Sequence, residues 1–105
     1  MDEALRLVLK AVEIEPNNLY IQDTLGYVLL KRGEAAEAEK IFQKAIDRGA
    51  KAPVFYYHLA LALASRRERA EAIDNLEKAL SIEEPFEFRE DAEHLLSRLK
   101  RGLSP

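Results

Sequence analysis

Ala38-Glu39-Lys40-Ile41-Phe42-Gln43-Lys44-Ala45 has two counterparts in the chain: Ala4-Leu5-Arg6-Leu7-Val8-Leu9-Lys10-Ala11 before it and Ala72-Ile73-Asp74-Asn75-Leu76-Glu77-Lys78-Ala79 after it. Each stretch opens on an alanine, closes on another seven positions later, and stands 34 residues from its neighbour. Leu25-Gly26 is echoed at the same distance by Leu59-Ala60. A period of 34 is the length of one helix–turn–helix unit in a stacked array, so the repeat decides the fold before any single element is assigned.

Working outward from these stretches gives six helices. The first is expected over about Asp2–Ile14, ending before Pro16, whose missing N–H cannot continue the ladder. Asn17-Asn18 offer caps for a second helix over Leu19–Arg32, closed by Gly33. A third spans Ala35–Arg48 and stops at Gly49. Pro53 suits the first turn of a fourth helix, Pro53–Arg66. The fifth covers Arg69–Ile82, with Pro85 beyond it. The sixth runs over Glu87–Lys100, acidic at its start and basic at its end as the helix dipole favours.

The repeats resemble the tetratricopeptide repeat (TPR), a pattern of a large residue, Leu-Gly, a large residue, Ala, an aromatic and a closing Pro. One unit matches at Leu25, Gly26, Leu29, Ala38, Phe42 and Ala45; the next at Tyr56, Leu59, Ala60, Leu63, Ala72, Leu76 and Ala79. Ala4, Val8, Ala11 and Pro16 match the second half of an earlier unit. Gln22 stands where a large aromatic is usual, Arg67 where a turn glycine is expected, and Ala50 and Glu84 where the closing proline belongs. The stretch from Asp23 to Ala60 is similar to the last units of large bacterial TPR proteins. The resemblance implies an all-α, TPR-type α-solenoid of antiparallel helices. Its expected divisions are a partial unit (1–16), two full units (17–50 and 51–84) and a capping helix (85–105) whose Ala92, Leu95, Leu96 and Leu99 form an apolar stripe.

TPR arrays bind partners on the concave surface lined by the first helix of each unit. By register that surface would show Tyr20, Asp23, Tyr27, Leu30 and Lys31, then Val54, Tyr57, Leu61 and Ser65. Tyrosines among aliphatic side chains suit an extended peptide or an amphipathic helix, because tyrosine offers a large contact area with a polar tip. The same side chains could instead pack between units. The subclass that grips chaperone tails uses lysine and asparagine where Asp23 and Tyr27 stand, so that ligand is not expected. Arg32 and Arg66, 34 apart, would line one edge and either meet an acidic partner or offset helix dipoles.

Enzyme chemistry has no footing in the sequence. Cysteine is absent, and His58 and His94 lie too far apart for the short ligand spacings of a helical metal site. His58 is expected at the groove margin or in an inter-helix contact. No glycine-rich phosphate loop is present. Sixteen basic and 19 acidic residues leave a net charge of −3, the wrong balance for nucleic acid. No apolar run is long enough for membrane insertion, and no targeting segment sets the compartment. The expectation is a non-catalytic protein–protein interaction scaffold without cofactors.

Two alternatives stay open. Leu5, Val8, Ala11 and Val12 should pack on the second helix, leaving Leu7, Leu9 and Ile14 over. With Leu5 they form a candidate homodimer interface, since a helix apolar all round is normally buried. The chain could equally be excised from a longer array, in which an upstream helix covers that face. Arg67, Ala50 and Gln22 argue against a consensus design.

Overall fold

The computed structural model describes residues 2–105, and every regular element among them is an α-helix. They are α1 (Glu3–Ile14), α2 (Leu19–Lys31), α3 (Ala35–Asp47), α4 (Pro53–Ser65), α5 (Arg69–Ser81) and α6 (Arg89–Lys100). Consecutive helices pack on one another, and α2 also touches α4, which gives the expected all-α solenoid.

Helix ends follow from local chemistry. Asp2 caps α1, its carboxylate accepting from the Leu5 N–H at 3.3 Å. Asn18 caps α2, its Oδ1 accepting from Tyr20 and Ile21 at 3.0 and 3.2 Å. At the far end of α2, Gly33 N–H donates to Leu30 and Glu34 N–H to Leu29, at 3.0 and 2.9 Å, a Schellman closure with Gly33 at φ 86°. Gly49 and Gly102 close α3 and α6 in the same way.

Arg67 closes α4 with the same pair of bonds, at φ 63°. There the Cβ of an L-residue crowds the following carbonyl oxygen, a strain of about 1–2 kcal/mol that glycine avoids. Arg67→Gly removes this strain but loosens the unfolded chain, so a net gain of about 0.5–1 kcal/mol is expected. A higher urea midpoint with an unchanged m-value checks it.

The alanines at the repeat positions are buried in the two full units, whereas Ala4 of the partial unit is exposed and Ala11 half-buried. Ala38, Ala72 and Ala79 are fully buried and Ala45 nearly so, with Phe42 and Leu76 filling the space beside them. α4 is the central helix: apolar on all sides, it buries residues from Pro53 to Ala64 between its neighbours. α6 seats Ala92, Leu95 and Leu99 on this core.

Two expectations change. α6 begins at Arg89, so Glu87 lies in the connecting segment rather than in the helix. Arg32 and Arg66 do not form an open basic edge. Arg32 donates to Asp2 and Glu34, both at 2.8 Å, and Arg66 to Glu39 at 2.5 Å. Those bonds hold the Asp2 carboxyl below its usual range and raise both guanidinium values, the arginine–carboxylate hydrogen bond being the main cause each time.

α1 buries Val8, with Leu5, Ala11 and Val12 half-buried. Leu7, Leu9 and Ile14 remain 54%, 49% and 73% exposed.

Candidate functional site

The expected groove residues occupy neighbouring faces of α2 and α4. On α2, Tyr20, Thr24, Tyr27 and Lys31 form one exposed stripe at helical spacing. Tyr20 is 62% and Tyr27 36% exposed. Lys31 reaches back so that its Nζ lies 5.3 Å from the centre of the Tyr27 ring, a cation–π approach that pre-sets both side chains. On α4, Val54 and Leu61 are half-buried and Ser65 is exposed. Leu30 and Leu61 lean on the main core.

Asp23 and Tyr57 are not the exposed lining that the register suggested. Asp23 is 6% exposed and turned toward α4, where both carboxylate oxygens meet His58 Nδ1, at 3.0 and 2.8 Å. A carboxylate only accepts, so Nδ1 carries the proton. The imidazole lies among rings: Tyr27 at 4.9 Å, Phe42 at 5.5 Å, Tyr57 at 5.7 Å and Phe88 at 6.1 Å between centroids. His58 is thus the inter-helix contact that locks α2 to α4.

Tyr57 is buried because the α5–α6 connection folds back over it. Phe88 stacks on its ring at 5.4 Å and 16°, and Phe86 meets it edge-on at 5.7 Å. Burial, with smaller contributions from Asp91 and Tyr27, pushes the Tyr57 hydroxyl above its ordinary value and keeps it a proton donor. Arg89 anchors this return, donating to the Leu80 and Ile82 carbonyls at 3.3 and 3.2 Å.

Phe86 and Phe88 are the residues of this surface that sequence reasoning missed. Their signal was a pair of rings two residues apart just after Pro85; the chain turns there, Arg89 N–H donating to the Phe86 carbonyl at 3.1 Å, and both rings come to Tyr57. Among the described residues no group of three or more histidine, cysteine or acidic side chains is placed to hold a metal ion. No described helix is long and apolar enough to cross a membrane. The surface offers rings, a cation–π pair and aliphatic edges.

Two tetratricopeptide repeat models match the chain, one over residues 19–52 and the other over residues 54–86. Comparison with curated proteins finds no match. The matched residues begin with α2 and run past α5, cover more than half of the chain, and join end to end with one residue between them. Their period, their helical hairpins and the buried alanines of the two matched units agree: the chain belongs to the tetratricopeptide repeat family.

Proposed function

We propose that the chain holds a segment of a protein partner against the adjoining faces of α2 and α4. Tetratricopeptide repeats generally mediate protein–protein interaction, and the family is a scaffold rather than a catalytic fold. The observation that carries the reading is a division of labour among the side chains of α2 and α4. Asp23, His58 and Tyr57 are spent on joining the helices, while Tyr20, Tyr27 and Lys31 stay open on the same surface. A rigid floor with exposed aromatic anchors loses little entropy on binding.

The test is selection of random dodecapeptides displayed on phage against the whole chain. Enriched sequences should bind in the micromolar range, about −8 kcal/mol. Tyr20→Ala with Tyr27→Ala should weaken them by roughly tenfold or more. Because Tyr27 also packs on the His58 ring at 4.9 Å, some stability goes with it, and circular dichroism establishes that the variant is folded where binding is read. Peptides that bind the double variant as tightly as wild type would sink the reading.

A second reading, pairing of two copies through α1, rests on the register. Leu9 stands 34 and 68 residues before Gln43 and Glu77, and both of those stay exposed although their helices have packed neighbours on either side. A further helix stacked in the same way would leave Leu9 uncovered. An antiparallel match of two α1 helices along the side shared by Leu5 and Leu9 would cover Leu9 and set Arg6 of one copy against Glu13 of the other, with Leu7 on the far side of the helix. Light scattering at tens of micromolar should then show about twice the monomer mass. Leu7→Glu with Leu9→Glu should restore the monomer, and a wild-type chain already monomeric there removes this reading.

A further inference from the structure

The segment between α5 and α6 does more than cover Tyr57. Where it leaves the Tyr57 ring it forms one wall of a recess of about 300 Å³. Phe86 and Phe88 stand on that side, with Tyr20, Pro53 and Val54 opposite. The size is the lower end of what a binding pocket needs, and suits a single large side chain. Tyr20 links the recess to the rest of the surface, because its ring packs on Phe55 at 5.1 Å while most of it stays exposed.

The rim has one sign of charge. Glu84 and Glu87 are exposed and belong to the lining. Among the described residues neither forms an ion pair, nor do Glu83, Glu90 and Asp91 beside them. Arg89, the cation within this acidic run, is turned inward onto the carbonyls that end α5. Lys51 precedes Ala52 in the chain but is not part of the lining. An apolar floor under unpaired carboxylates favours a partner that brings an apolar group on a positively charged segment.

We propose that this recess takes one aromatic or large aliphatic side chain of a basic peptide segment in a protein partner, with Glu84 and Glu87 meeting the flanking lysines or arginines. The inference rests on the groove reading and names the partner's chemistry at one end of that surface.

Three fluorescein-labelled decapeptides in a glycine–serine background test it on the whole chain. The first has a central tryptophan flanked by two arginines on each side; the second replaces the arginines by glutamates; the third replaces the tryptophan by alanine. The first should bind, and the other two should bind roughly tenfold more weakly or worse. Glu84→Lys with Glu87→Lys should remove the preference for arginine. Val54→Trp, which fills the recess from the opposite wall, should weaken the first peptide by a similar factor. Circular dichroism establishes that each variant is folded, and the two variants perturb different walls.

Amide shifts on titration separate this inference from the groove reading. Changes centred on Val54 and residues 84–88 support the recess. Changes centred on Tyr27 and Lys31 that bypass residues 84–88 overturn it and leave the groove reading standing. Three peptides that bind alike, or not at all, also overturn it. So does a doubled mass in light scattering that the Glu84→Lys, Glu87→Lys variant abolishes, which would give the recess to a second copy.

Discussion

Asp23→Ala is expected to destabilise the fold by about 2–3 kcal/mol, although it removes only a short polar side chain from a helix. The loss comes from what is left behind. His58 Nδ1 donates to the Asp23 carboxylate at 2.8 Å, and the remainder of the imidazole is enclosed by Tyr27, Phe42, Tyr57 and Phe88. Without Asp23 that N–H faces rings and has no acceptor. An orphaned buried donor costs more than the net worth of the bond it made. Replacing both partners by apolar groups of similar bulk removes the orphan along with the bond. Asp23→Leu with His58→Phe should therefore recover most of the loss, as buried polar pairs replaced by hydrophobic ones often do. Urea denaturation of the two variants and the wild type decides it. A double variant as unstable as Asp23→Ala would assign the loss to packing rather than to the unpaired donor.

The same pair shows where sequence reading stops. The alanine register was legible because it repeats at a fixed interval and marks helix approaches within a unit, so Ala38, Ala45, Ala72 and Ala79 are buried as expected. Register also gives the face on which Asp23 and Tyr57 sit. It does not say what comes across from a neighbouring element. His58 lies 35 residues from Asp23, and nothing local to either residue announces the contact. Phe88 stands in register with Val54 and Tyr20, 34 and 68 residues before it, and Phe86 with Ala52, but the period does not give the turn that lays their rings over Tyr57. The acidic residues from Glu87 onward looked like a helix start, which the dipole favours. In the structure residues 86–89 form a turn that lays Phe88 flat on Tyr57, and the helix starts at Arg89. Arg67 was legible as a departure from the glycine rule but not as a residue that adopts the glycine conformation anyway. The two bonds to Ala64 and Leu63 hold it there. The leftover apolar residues of α1 were legible because no single face of that helix could hold them all.

Gly26→Ala is expected to cost about 1–3 kcal/mol through overpacking, despite alanine's advantage of about 1 kcal/mol in a helix interior. A Cβ at position 26 would lie 2.5 Å from Phe42 Cε1 and 2.8 Å from Cζ, well inside van der Waals contact. Phe42 is fully buried and packs against His58 at 5.5 Å, so its ring cannot swing aside freely. The next unit solves the same contact differently. Ala60 and Leu76 stand 34 residues after Gly26 and Phe42, and both are fully buried: a larger residue on the first helix goes with a smaller one on the second. Gly26→Ala with Phe42→Leu copies that arrangement. Phe42→Leu alone leaves a void and should cost about 1 kcal/mol or more. The double variant should be more stable than the sum of the two losses by about 1 kcal/mol or more, because each change removes part of the other's fault. Urea midpoints for the four proteins complete the cycle. Additive losses would mean that Gly26 is needed for its backbone and not for the space it leaves to Phe42.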